Sequence, residues 1–115
     1  MEALDTIFEL LGRERRRYAL YYLEQQDDPV SVEELAAVIE DWEDDPTGGA
    51  TDEYQDIILA LDHHHLPKAA DAQYIDYDRE ADEIRITGEP AEFQVILSVA
   101  EAIEQPSRDD IINLA

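Results

Sequence analysis

The sequence predicts a mainly α-helical chain with one small β-hairpin, arranged as a winged helix-turn-helix followed by one more helix. Three observations predict it. Ser31 to Lys68 reads as two helices joined by a polar, glycine-containing turn and ended by Leu66-Pro67-Lys68. Two short β-prone runs follow, Gln73 to Tyr77 and Glu83 to Thr87, alternating at period two around a charged turn from Asp78 to Asp82. Beyond Pro90 a long apolar segment runs at helical spacing. The division this implies is a winged-helix domain over 1–88. A C-terminal helix and tail over 89–115 belong to the same domain or to a dimer interface.

In chain order, Leu4, Ile7, Phe8 and Leu11 recur at helical spacing, and Gly12 ends or kinks that first short helix. A second helix spans about Arg13 to Gln26, with Ala19, Leu20 and Leu23 inside and Tyr18, Tyr21 and Tyr22 flanking. Asp27, Asp28 and Pro29 stop it. Ser31 and Glu34 then form a capping box, with Val30 and Leu35 as the hydrophobic staple. Val32, Leu35, Ala36, Ile39 and Trp42 make one core-facing stripe. After a loop from Asp44 to Thr51, Asp52 and Gln55 offer a second capping box. Tyr54, Ile57, Ile58 and Leu61 face inward in the helix that follows. Its outer face holds Asp52, Glu53, Gln55, Asp56, Leu59 and Asp62, and Pro67 closes it at about His65.

The helix expected from Ala91 to Gln105 is broader in its apolar surface than one domain needs. Phe93, Val95, Ile96, Leu97, Val99, Ala100, Ala102 and Ile103 cover an arc of roughly 220°, where a stripe of about 100° suffices. Pairing with a second copy through Phe93, Ile96, Leu97, Val99, Ala100 and Ile103 is the expected use of the surplus. The alternative is cover from the N-terminal helix and the tail within one chain. A short final helix, capped by Ser107 and Asp110, is expected after Pro106.

Composition sets the chemistry. The chain has 115 residues, 44% of them hydrophobic, and no cysteine, so disulfides, thiolate metal sites and cysteine nucleophiles are excluded. No apolar run approaches a membrane span and no signal-peptide pattern opens the chain, so a soluble cytoplasmic protein is expected. Thirty acidic residues oppose eight basic ones, giving a net charge of −22 spread along the whole chain. Such self-repulsion destabilises a compact fold unless salt screens it. The screening length falls from about 10 Å at roughly 0.1 M salt to about 3 Å at roughly 1 M. A potassium-rich cytoplasm is therefore the expected setting, against the alternative of an acidic protein that binds basic partners or mimics nucleic acid.

Arg15-Arg16-Arg17-Tyr18-Ala19-Leu20-Tyr21-Tyr22-Leu23 resembles the first scaffold helix of a haloarchaeal, ArsR-like winged-helix family of uncharacterised function. Leu35-Ala36, Trp42-Glu43, His65-Leu66-Pro67-Lys68 and Tyr74-Ile75-Asp76-Tyr77-Asp78 match the same pattern in the same order. The resemblance covers about Leu11 to Thr87. It implies a halophilic winged helix that regulates transcription, with no established ligand and no catalytic residue. Two positions depart from the pattern: Ala69 stands in place of a leucine, and Gln73 where a glycine often precedes the strand.

On this reading the candidate contacts to double-stranded DNA are Arg13, Arg16 and Arg17 at the start of the second helix, with Thr51, Tyr54, Gln55 and His63 on the recognition helix. Lys68 and Arg79 add cations beside and on the wing. The alternative for the arginines is structural ion pairing with nearby carboxylates. The exposed recognition face is mostly acidic, and Gln55 alone is a good base reader there. If Arg13 to Arg17 and Arg79 line one face, DNA contact gains. If each is locked against carboxylates, a protein-interaction module gains. His63, His64 and His65 point about 100° apart on a helix and cannot converge on one metal ion. No nucleophile motif or phosphate-cradling glycine loop is present, and neither catalysis nor a cofactor is expected. Stability against urea should rise steeply as KCl is raised toward multimolar levels. A folding free energy indifferent to KCl would remove the halophilic reading.

Overall fold

The structure is a computed structural model, and it describes residues 2–43, 51–87 and 90–106. In order come α1 (Glu2–Leu10), α2 (Glu14–Glu24), α3 (Val32–Glu43) and α4 (Thr51–Ala60). A π-helical turn (Leu61–His65) carries α4 into α5 (Leu66–Asp71). The hairpin of β1 (Ile75–Asp78) and β2 (Glu83–Ile86) and then α6 (Ala91–Glu104) complete the chain. A mainly helical winged helix with a small hairpin and a C-terminal helix is the observed fold. No described helix is long and apolar enough to cross a membrane.

One core joins every layer. Ile7 and Leu10 of α1, Leu20, Tyr21 and Leu23 of α2, Leu35 and Ile39 of α3, and Ile57 and Leu61 meet Ile84 of the wing and Phe93 of α6. Leu10 lies in this core and Phe8 does not: Phe8 is 57% exposed. Of the tyrosines of α2, Tyr18 and Tyr21 are buried and Tyr22 is half-buried, with Tyr18 and Tyr22 packed edge-on against Trp42 at 5.8 and 6.1 Å between ring centroids. Tyr74 stacks on Phe93 at 4.4 Å and fastens α6 to the base of the wing.

Ser31 Oγ accepts from the Glu34 amide at 3.1 Å, as the capping box requires. The Glu34 carboxylate, however, accepts the Tyr22 hydroxyl, and a second cap comes from the wing. Asp82 Oδ1 accepts from the Val32 amide at 3.0 Å. Val30 does more than staple a helix. It exchanges backbone hydrogen bonds with Ile84 at 2.9 and 2.8 Å, adding an isolated bridge to the antiparallel hairpin. β1 and β2 pair Ile75 with Ile86 and Tyr77 with Ile84, one residue pair shorter than the sequence runs suggest.

Pro67 does not close the recognition helix at His65. The Leu66 amide bonds Leu61 O, five residues back, and the helix continues to Asp71. Proline lacks an N–H, and in a regular helix its ring strikes the carbonyl four residues earlier, here that of His63. A turn widened by one residue relieves that clash and carries the helix past it. The chain reverses beyond Ala72 with Gln73 at φ 69°, a left-handed conformation that glycine adopts at least cost. This accounts for glycine at that position in the resembling pattern. The Asp44-to-Thr51 loop, but for Thr51 itself, and the helix expected after Pro106 fall outside the described residues. So does the Asp52 side chain, although α4 already begins at Thr51 and leaves Asp52 inside the helix rather than at its cap.

Asp82 combines a left-handed φ of 57° with the cap on α3. Asp82→Ala should therefore cost about 1–2 kcal/mol in urea unfolding, and Asp82→Asn much less, because asparagine keeps both the acceptor and tolerance of that conformation.

Candidate functional site: the arginine cluster and the recognition face

The first turns of α2 hold four arginines whose fates diverge. Arg16 is 3% exposed. Its Nε donates to Leu10 O at 2.7 Å, Nη2 to Glu9 O at 2.6 Å, and Nη1 faces His65 Nδ1 at 3.3 Å. Arg17 Nη1 donates to Leu11 O at 2.6 Å, while Nε and Nη2 form a two-pronged pair with Glu104 at 2.9 and 2.7 Å. The last carbonyls of a helix have no partner within it. Two guanidiniums here satisfy three of the carbonyls at the end of α1, and in doing so fix α1, α2 and α6 together. Arg15 reaches Glu43 of α3 at 2.7 Å.

Glu104 also accepts the Tyr21 hydroxyl at 2.9 Å, and its hydrogen bonds from Arg17 hold its carboxyl below the usual range. The Arg17 guanidinium is pushed up by the same bond. Burial raises Tyr21. Burial depresses His65 to about 4, with Arg16 adding to the effect. His65 is therefore neutral, its Nδ1 free to accept from Arg16.

The wing folds back on the recognition helix. Tyr77 Oη donates to Asp62 Oδ1 at 2.7 Å, and Arg79 sits 3.3 Å from the same carboxylate while donating to Asp62 O at 2.8 Å. Burial and the Asp62 hydrogen bond push Tyr77 up to about 12. Lys68 pairs with Glu9.

Of the expected DNA contacts, Arg16 is thus inaccessible, and Arg17, Lys68 and Arg79 are engaged. Arg13 has no hydrogen bond or ion pair among the described residues and is exposed, as is Arg85 on the wing. Gln55 and His63 are exposed on the outer face, with Asp56 and Leu59 beside them. Tyr54 is half-buried and donates to Glu33 O of α3 at 3.3 Å. Thr51 opens α4, and its side chain lies outside the described residues. The arginines do not form one outward face.

The expected dimer face also divides. Phe93 and Leu97 are 0% and 2% exposed and belong to the chain's own core, with Ile96 and Ala100 half-buried against it. Val99 and Ile103 remain outside at 54% and 79% exposure, joined by Val95 at 62%. These three lie four residues apart and make one stripe. Periodicity could not separate the two apolar faces, because both satisfy the same helical spacing. His63 and His64 are exposed, His65 is buried, and no group of three or more His, Cys, Asp or Glu among the described residues is placed to hold a metal ion.

Fold and site together define a winged-helix protein whose described basic residues are mostly bonded within the chain. The chain belongs to the DUF7344 family, a domain of unknown function, whose pattern matches residues 8–85 and leaves α6 beyond it. No curated protein and no solved structure gives a significant match.

Because His65 has a folded-state value near 4 against about 6.5 unfolded, the unfolded chain takes up the extra proton. Its contribution is present above about pH 6.5 and is lost as pH falls toward 4, on the order of 3 kcal/mol in total. Urea unfolding of His65→Gln compared with the parent should lose that component of the pH dependence. Arg16→Met should cost several kcal/mol at any pH, since it strands buried carbonyls.

Proposed function

We propose that the protein is a homodimeric winged-helix module that works by protein association in a salt-rich cytoplasm. The observation carrying this reading is the disposition of its cations. Arg15, Arg17, Lys68 and Arg79 are each paired with a carboxylate, and Arg16 is buried on backbone carbonyls. What α4 turns outward is Gln55, Asp56 and Leu59, with little to attract phosphate. The stripe Val95, Val99 and Ile103 supplies a second apolar face on α6, and a two-fold copy of the same helix is its natural complement. The net charge of −22 supports a setting where concentrated K⁺ screens one copy from the other.

A DNA-binding transcriptional regulator, which the resemblance to ArsR-like proteins implies, is the second reading. One observation favours it: Tyr77 and Arg79 hold the wing against Asp62, next in the chain to the exposed His63.

Sedimentation in molar KCl, with and without genomic DNA fragments, tests both readings. The parent should sediment as two chains, and Val99→Glu or Ile103→Glu should weaken pairing at least about tenfold. A parent that stays monomeric at every concentration overturns the dimer. Co-sedimentation with DNA that is lost in Gln55→Ala and Arg79→Ala would put the regulator reading first. Arg16 is unsuited as a probe, since its replacement disturbs the fold.

A further inference from the structure

We propose that the cleft between the end of α1, the start of α2 and the helix beyond the π turn binds a small phosphate-bearing anion. The cleft has a volume of about 320 Å³ and is lined by Glu9, Gly12, Arg13, Arg16, His64 and Lys68. That size is at the lower end for small-molecule sites, roughly 300–1,000 Å³. Three of the eight basic residues of a strongly acidic chain converge here against one lining carboxylate. Arg13 and Arg16 are close enough for each other's charge to be felt, and Arg13 has no anion of its own among the described residues.

The backbone adds to this. Arg13 is the residue before the first turn of α2, in an extended conformation, and no side chain caps that helix. Gly12 and Arg13, which lead into that helix, line the cleft, so the positive end of the helix dipole lies beside it. Lys68 meanwhile pairs with the exposed carboxylate of Glu9, whose titration Lys68 lowers. Glu9 thus acts as the anion in residence, and a ligand must displace it. A phosphate group suits the donors better than a carboxylate, because its greater charge and three free oxygens offer more acceptors to Arg13 and Lys68 together. His64 is exposed at the rim, where it can bond an ester oxygen or the attached group.

The test is backbone amide NMR of the full chain at fixed molar KCl, titrated with inorganic phosphate and separately with adenosine monophosphate. Saturable shifts at Gly12, Arg13 and His64 are expected. Preference for the nucleotide identifies an organic phosphate, and equal response identifies the free ion. Arg13→Ala should weaken binding about tenfold or more, from loss of a charge-assisted hydrogen bond. Glu9→Gln should tighten it severalfold, which a purely structural role for Glu9 does not produce. Both side chains are exposed, so unchanged urea midpoints are expected to accompany these effects. Shifts that do not saturate, that extra KCl of equal ionic strength reproduces, or that survive Arg13→Ala overturn the proposal. So does a Glu9→Gln variant that binds no more tightly.

Discussion

The buried guanidinium of Arg16 is the contact on which the rest of the arrangement depends. It closes the open end of α1 by taking two of its carbonyls and presents its remaining edge to His65 in the π turn. Three elements distant in sequence are thus referenced to one side chain. A charge removed from water at this depth is tolerable only because its donors find acceptors, and carbonyls serve in place of a carboxylate. The neutral imidazole completes the set, and it stays neutral because burial disfavours its charged form and the cation beside it adds to that.

Arg17 extends the same logic to α6. Its pair with Glu104 is partly buried, two-pronged and reinforced by Tyr21, unlike the exposed ion pairs that contribute little to stability. The consequence is electrostatic as well as structural. A chain with eight basic residues against thirty acidic ones, whose described cations are mostly bonded within the chain, presents few unpaired positive charges among its described residues. The outer face of α4 shows Gln55, Asp56 and Leu59 among its described residues, so a scaffold familiar from DNA recognition presents no described cation on that helix. Cations concentrate instead at the cleft beside Arg13.

The π turn shows how one local constraint reorganises a helix. Pro67 forbids a regular turn, and the widened turn that accommodates it falls where His65 must point at Arg16. The wing gains from a similar economy. Asp82 turns the hairpin and caps α3, while Val30 and Ile84 bridge two segments that would otherwise share only side-chain packing. α6 is divided down its length: Phe93 and Leu97 enter the core, and Val95, Val99 and Ile103 do not.

Most of the elements and their kinds were legible in the chain itself, because capping residues, alternation and apolar spacing act over a few neighbours. Ser31, the charged turn of the hairpin and the stripe from Val32 to Ile39 all act at that range, and the net charge needs no fold at all. What the arginines do was not legible. Arg13, Arg15, Arg16 and Arg17 are near-identical in local context, yet one has no partner among the described residues, two pair with acids on other helices and one is buried. The passage of the helix through Pro67, the bridge from Val30 and the division of α6 were equally hidden. Each depends on a partner far along the chain, and only tertiary structure brings such partners within bonding distance.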